Sequence, residues 1–283
     1  MYHFLVAESE TPDERAARRD HTGRSAGESY AATLEQMIPG LRVTRVTPAD
    51  AEAEVLPPER IATFDAVFVT GSPLHVYDDT PEVRRQLGFM RAVYASGTPS
   101  FGSCAGLQIA VAAAGGRVRK MPERMEAGIA RRITATDAGR DHPLLAGRAA
   151  AWDAPAVHGD EVEDLPAGGI VLASNAVTRV QAAEIRYDGG IFWGVQYHPE
   201  LSAREIAVAL RRQVDSLIEA GLAHDEAGVE RHAGLLDALH KTPDDRAVLW
   251  QLGLDRQFAD QALRRLEIGN FIDTLVAPRR RAA

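Results

Sequence analysis

The 283-residue chain reads as an α/β protein with a helical appendage, and three observations carry that reading. Short apolar runs rich in β-branched and aromatic residues alternate with stretches of helical periodicity. Two of these runs stop abruptly in glycine-bearing loops, Gly71-Ser72-Pro73 and Gly102-Ser103-Cys104-Ala105-Gly106. Beyond residue 220 the texture changes to polar, helix-period sequence with no strand-like run.

Taken in order, residues 2–6 predict a first strand and 27–37 a helix closed by Pro39-Gly40. Residues 41–46 predict a second strand, and 66–70 a third that enters the Gly71 loop. Thr80 caps a helix with Pro81 at its first position, running to about residue 94. Residues 99–102 form a fourth strand, and a helix follows to about residue 114. From 125 to 180 the pattern predicts shorter strands and loops, with turns at Asp137-Ala138-Gly139 and Pro166-Ala167-Gly168-Gly169. Runs 182–187 and 192–197 are joined by Asp188-Gly189-Gly190, a hairpin signal. A helix over 203–220 follows. In the tail, Phe258, Ala262, Leu266 and Ile268 fall near helical spacing.

Composition narrows the partners. A formal net charge of −8 argues against a general nucleic-acid binder. The basic run Arg279-Arg280-Arg281 reads as solvated decoration. The single cysteine, Cys104, excludes an intramolecular disulfide. No signal peptide and no apolar run long enough to span a bilayer is evident, so a soluble, cytoplasmic protein without a membrane partner is expected. Neither a phosphate-binding P-loop nor a metal-ligand cluster occurs, and no cofactor is expected.

Chemistry concentrates in three places. The first is Gly102-x-Cys104-x-Gly106 between a strand and a helix, the cysteine form of a nucleophile elbow. Glycines flank the nucleophile because the chain turns sharply with its neighbours close. The turn leaves the thiol at a helix N-terminus, where the dipole favours thiolate, and aims the Ala105 N–H at an oxyanion. Standing against this is the ordinary buried cysteine ahead of a core helix. The second is Tyr197-His198-Pro199-Glu200. A thiolate needs a base that later protonates the leaving amine, and a carboxylate must orient that ring. In extended backbone, which Pro199 favours for His198, residues 198 and 200 face one side. The third is the loop at Gly71-Ser72, whose N–H groups are candidates for the second oxyanion donor.

This set resembles the class I (triad) glutamine amidotransferase family over roughly residues 1–220, and most closely its stand-alone members similar to the amidotransferase domain of GMP synthase. The resemblance implies a flavodoxin-like open, mostly parallel sheet flanked by helices for residues 1–220; the texture of residues 221–283 adds a helical C-terminal extension. It implies Cys104, His198 and Glu200 as triad, Gly71, Ser72 and Ala105 at the oxyanion, and Gln108 as a substrate contact. Val157-His158-Gly159-Asp160 resembles a family signature, read here as a structural turn stabilised by Asp160. Glu126 and Gly128 echo a Glu-x-Gly segment, although Ile129 stands where an aromatic residue often follows. The tail is too short and too helical for an ATP pyrophosphatase domain.

The implied activity is hydrolysis of the γ-amide of glutamine to glutamate and ammonia through a γ-glutamyl thioester, with the ammonia feeding a separate synthase. The alternative is a self-sufficient γ-glutamyl hydrolase acting on a γ-glutamyl amine or peptide. A third reading is a non-catalytic regulatory module. Expected partners are glutamine or a γ-glutamyl small molecule, a separate synthase under the first reading, and a second copy of the chain.

Overall fold

The computed structural model describes residues 1–282. Strands β1 (His3–Ala7), β2 (Arg42–Val46), β3 (Ala66–Val69), β4 (Ser100–Ser103) and β5 (Arg117–Lys120) alternate with helices α1 (Pro12–Thr22), α2 (Ala26–Met37), α3 (Pro58–Ile61), α4 (Pro81–Ala95) and α5 (Ala105–Ala113). Then come β6 (Glu126–Ala135), β7 (Trp152–His158), β8 (Asp160–Asp164), β9 (Gly169–Ser174), β10 (Ala182–Tyr187) and β11 (Gly190–Val195). Helices α6 (Ala203–Arg212), α7 (Val214–Glu219), α8 (Glu226–Lys241), α9 (Arg246–Leu252), α10 (Arg256–Ala259), α11 (Gln261–Arg264), α12 (Leu266–Phe271) and α13 (Ala277–Ala282) complete the chain, with a π-helical turn at Ile272–Val276.

The main sheet has the order β2-β1-β3-β4-β11-β10-β9-β6-β7. Its first five strands run parallel, in the order expected of a flavodoxin-like sheet. The remaining four continue it antiparallel. Alternation within the parallel strands separates two cores. Phe4, Val6, Phe68 and Phe101 face α2 and the C-terminal segment, where Phe271, Ile272 and Val276 join the same cluster. Leu5, Ala7, Val67 and Val69 face α4 and α5. A third cluster joins α6 to α8, α9 and Phe258.

The parallel strands, α2, α4 and α5 fall where the sequence places them, and the 182–195 hairpin turns at Asp188 (φ 45°) and Gly189 (φ 80°). Four details differ. Helix α1 has no apolar stripe for periodicity to detect. It is written instead in its capping box, with Thr11 and Glu14 bonding each other's backbone and Pro12 inside. The predicted 203–220 helix breaks at Gln213 (φ −121°, ψ 28°). β11 ends at Val195, so residues 196–200 form bends and a turn instead of continuing the strand. β5 is polar and forms by pairing with β8 alone. Of the basic run at 279–281, Arg280 lies outside the described side chains. Among the described residues no helix is long and apolar enough to cross a membrane.

Candidate active site

The site forms at the carboxyl ends of β3, β4 and β11, three adjacent parallel strands, which is where open α/β sheets leave a crevice. Cys104 occupies the β4–α5 junction at φ 53°, ψ −114°. A non-glycine residue held in so sparsely populated a region stores roughly 1–3 kcal/mol. The surroundings enforce it: the Cys104 N–H donates to the Val195 carbonyl at 2.8 Å. Both flanking glycines are required sterically. A Cβ on Gly106 would lie 2.4 Å from the Val69 carbonyl oxygen, and one on Gly102 would lie 2.9 Å from the carbonyl carbon of Gly106.

His198 reaches the site from the turn after β11. Its N–H donates to the Pro155 carbonyl of β7 at 2.7 Å. Its Nδ1 lies 2.7 Å from Oε1 of Glu200, and the same oxygen accepts the Ser103 hydroxyl at 2.9 Å. The expected His198–Glu200 pairing is therefore present, but a turn makes it in place of an extended segment. Burial opposes a charge on the His198 ring. The Glu200 carboxylate and the Cys104 sulfur outweigh it and hold the imidazolium well above its ordinary range.

Gly71, Ser72, Cys104, Gln108, His198 and Glu200 all line one cavity of about 820 Å³. Ala105 lies behind Cys104 at the first position of α5, where its amide has no intrahelical acceptor. The Ser72 hydroxyl is buried without a partner. The Gln108 Nε2 donates to the Asp160 carbonyl and to Gln196 Oε1, both at 3.2 Å, so the side chain is held rigidly at the cavity wall.

The sequence suggested that Asp160 stabilises its own turn, but the bonds its carboxylate makes lead to another loop. Its carboxylate reaches across to the loop after β3, 2.6 Å from His75 Nδ1 and accepting the Tyr77 hydroxyl at 2.9 Å. Burial and that carboxylate push the Tyr77 hydroxyl up to about 12. His158 bridges the Asp160 carbonyl (2.9 Å) and the buried Glu126 carboxylate (3.1 Å). Glu126 also accepts from Asn175, Thr178 and Gln181. Burial works against the Glu126 charge, yet His158 and the amide donors win and lower its pKa. Sequence reasoning missed His75 and Tyr77. The only signal was their place on the loop that carries Gly71.

The family description Glutamine amidotransferase class-I matches residues 25–214. The chain is 34% identical over 284 residues to the gamma-glutamyl-L-1-hydroxyisopropylamide hydrolase of a Pseudomonas species, covering 97% of this chain and 93% of that protein. It is 29% identical over 188 residues to a glutamine-hydrolyzing GMP synthase of Thermomicrobium roseum, covering 66% of this chain but only 32% of the relative's length. In structure it resembles a glutamine amidotransferase of Thermotoga maritima, with TM-score 0.60 over 98% of both chains at 15% identity. With its elbow, its flavodoxin-like sheet and these relatives, the chain belongs to the class I glutamine amidotransferase family, a hydrolase acting on carbon–nitrogen amide bonds.

Proposed function

We propose that this chain hydrolyses the γ-amide of a γ-glutamyl compound by itself, through a thioester on Cys104. The observation that carries the reading is the convergence of Cys104, His198 and Glu200 on one cavity that also exposes Gly71, Ser72 and Gln108. The Cys104 thiolate attacks the γ-carbonyl carbon, and the negative charge moves to the carbonyl oxygen. That oxygen sits between the amide of Ala105 and those of Gly71-Ser72. The His198 imidazolium, oriented by Glu200, gives its proton to the departing amine as the C–N bond breaks. A water then loses its proton to His198, attacks the thioester and releases glutamate and free thiol.

A self-sufficient hydrolase is favoured over a component of a synthase because the match to the γ-glutamyl amide hydrolase extends over nearly both whole chains. The C-terminal segment is also built into the core beside β1 and β3. The second reading, a glutaminase feeding a separate synthase, draws on the likeness to glutamine-hydrolyzing GMP synthase, which the chain matches over 66% of its own length. Glutamate release by the purified chain decides between them. Turnover of γ-glutamyl alkylamides without any partner, abolished in Cys104→Ala, supports the first reading. Release from glutamine alone, and only after adding a synthase, supports the second and overturns the first.

A further inference from the structure

A second cavity, of about 680 Å³, lies on the other side of the Glu200 segment, between α2 and α6 and the helices of the C-terminal extension. Arg24, Arg204, Arg264 and Arg265 line it with His21 and His240, against two glutamates, Glu200 and Glu205. Arg264 and Arg265 are 7% and 9% exposed, and the Nε of each is buried without a hydrogen-bond partner. The hydrogen bonds these two side chains make go to neutral acceptors. Arg264 NH1 donates to the Phe258 and Ala259 carbonyls. Arg265 donates to Gln36 Oε1 and Thr33 Oγ1.

Buried guanidinium groups are ordinarily matched by a carboxylate. Among the described residues no carboxylate hydrogen-bonds either guanidinium, although Glu205 acts on both charges from a distance, as Asp260 does on Arg264 and Glu200 on Arg265. Glu205 accepts from the Ser202 amide and hydroxyl and faces Arg18. Asp260 caps the Ala262 and Leu263 amides and pairs with Arg256. Glu200 holds His198 and Ser103 on Oε1, while its Oε2 is buried without a hydrogen-bond partner. Burial and the adjacent Arg265 charge consequently press the Arg264 guanidinium down to about 10. Two neighbouring cations, buried and without a carboxylate in direct ion-pair contact, leave a place that an anion from outside the chain can fill.

We propose that this cavity is a second ligand site, distinct from the Cys104 cavity, that takes a small phosphate-bearing molecule on Arg264 and Arg265. A phosphate suits it better than a single carboxylate. Two guanidinium groups from adjacent residues, with Arg24 and Arg204 lining the same cavity, match a dianion offering several oxygens. The cavity leaves room for more than the phosphate group itself.

Thermal melting of the full chain, titrated with inorganic phosphate at constant ionic strength, tests this independently of any activity. The expected result is a saturable rise in melting temperature that acetate and chloride do not reproduce. Arg264→Met should melt at or above the untreated wild type, since it removes a buried cation with no carboxylate in direct contact, and should lose the response. Arg204→Gln, an exposed position, should fold normally and need about tenfold more phosphate. The proposal is overturned if phosphate gives wild type no rise beyond the salt controls, or if Arg264→Met and Arg204→Gln respond as wild type does.

Discussion

Gly71 faces His198 so closely that a Cβ on it would stand 2.9 Å from Cε1 of the ring and 3.5 Å from Cβ of Cys104. The backbone of Gly71 is not in the left-handed region, so a side chain there would be excluded by space and not by strain. Gly71→Ala should therefore displace the ring, at an overpacking cost of about 1–3 kcal/mol. The expected loss in kcat is about 10²-fold, the scale on which small misplacements of reacting groups act. Steady-state kinetics beside a melting curve check it, and unchanged kcat would remove Gly71 from the site.

Cys104 at φ 53° separates strain from chemistry. Cys104→Ala keeps the unfavourable backbone, whereas Cys104→Gly relieves it. Both should be inactive. The glycine variant should be more stable than the alanine variant by about 1 kcal/mol, a gain from strain that exceeds the cost of glycine's freedom in the unfolded chain. Denaturant unfolding of the pair measures the difference directly. Equal stabilities would mean that the elbow is relaxed.

The His198 ring should titrate above its ordinary value of 6.5, because Glu200 and Cys104 prevail over burial. Removing either group should bring it down, so an NMR titration of the imidazole should show a lower pKa in Cys104→Ala than in wild type. The sign for stability follows. A raised pKa contributes stability that is complete below the unfolded value and lost as pH climbs through the folded one. Wild type should therefore lose stability on the alkaline side, and Cys104→Ala should lose less.

Glu184 governs the acid side. It accepts from Trp193 Nε1 at 2.6 Å and from Arg186 Nε at 2.7 Å, and lies 3.2 Å from His142 Nε2. The His142 bond leads in drawing its pKa down from 4.5 to about 2, against the cost of burial. A depressed carboxylate contributes stability above its unfolded pKa and loses it as pH falls through the folded one. The loss should lie between pH 4.5 and about 2. Glu184→Gln should be less stable at neutral pH and flatter across that window in urea unfolding.

The C-terminal segment should prove inseparable from the catalytic part. Glu267 is fully buried, takes both Nε and NH2 of Arg148 at 2.6 Å, and accepts the hydroxyl of Tyr197, the residue before His198, at 2.8 Å. Glu267→Ala strands a buried guanidinium and should cost about 3–5 kcal/mol, read from denaturant unfolding. A fragment ending at residue 220 lacks Phe271, Ile272 and Val276 from the main core and should not give a cooperative melt. A sharp transition in that fragment would show that the extension is dispensable.

Local sequence by itself determined the elbow, the His-Pro-Glu segment, the parallel strands and the starts of α2, α4, α5 and α6, because each is written in a few adjacent residues. Glycine spacing, a capping box or a β-branched run acts through nearest neighbours, so it survives without knowledge of the fold. Contacts distant in the chain belong to tertiary structure alone. The shared Glu200 oxygen between His198 and Ser103, the Asp160 link to His75 and Tyr77, and the four-donor shell on Glu126 each join residues whose proximity depends on strand order. The place of the tail is of the same kind. The spacing of Phe258, Ala262, Leu266 and Ile268 suggests one apolar face, but packing divides it over three short helices: Phe258 joins α6, α8 and α9, Ala262 is exposed, and Ile268 joins the core beneath β1 and β3.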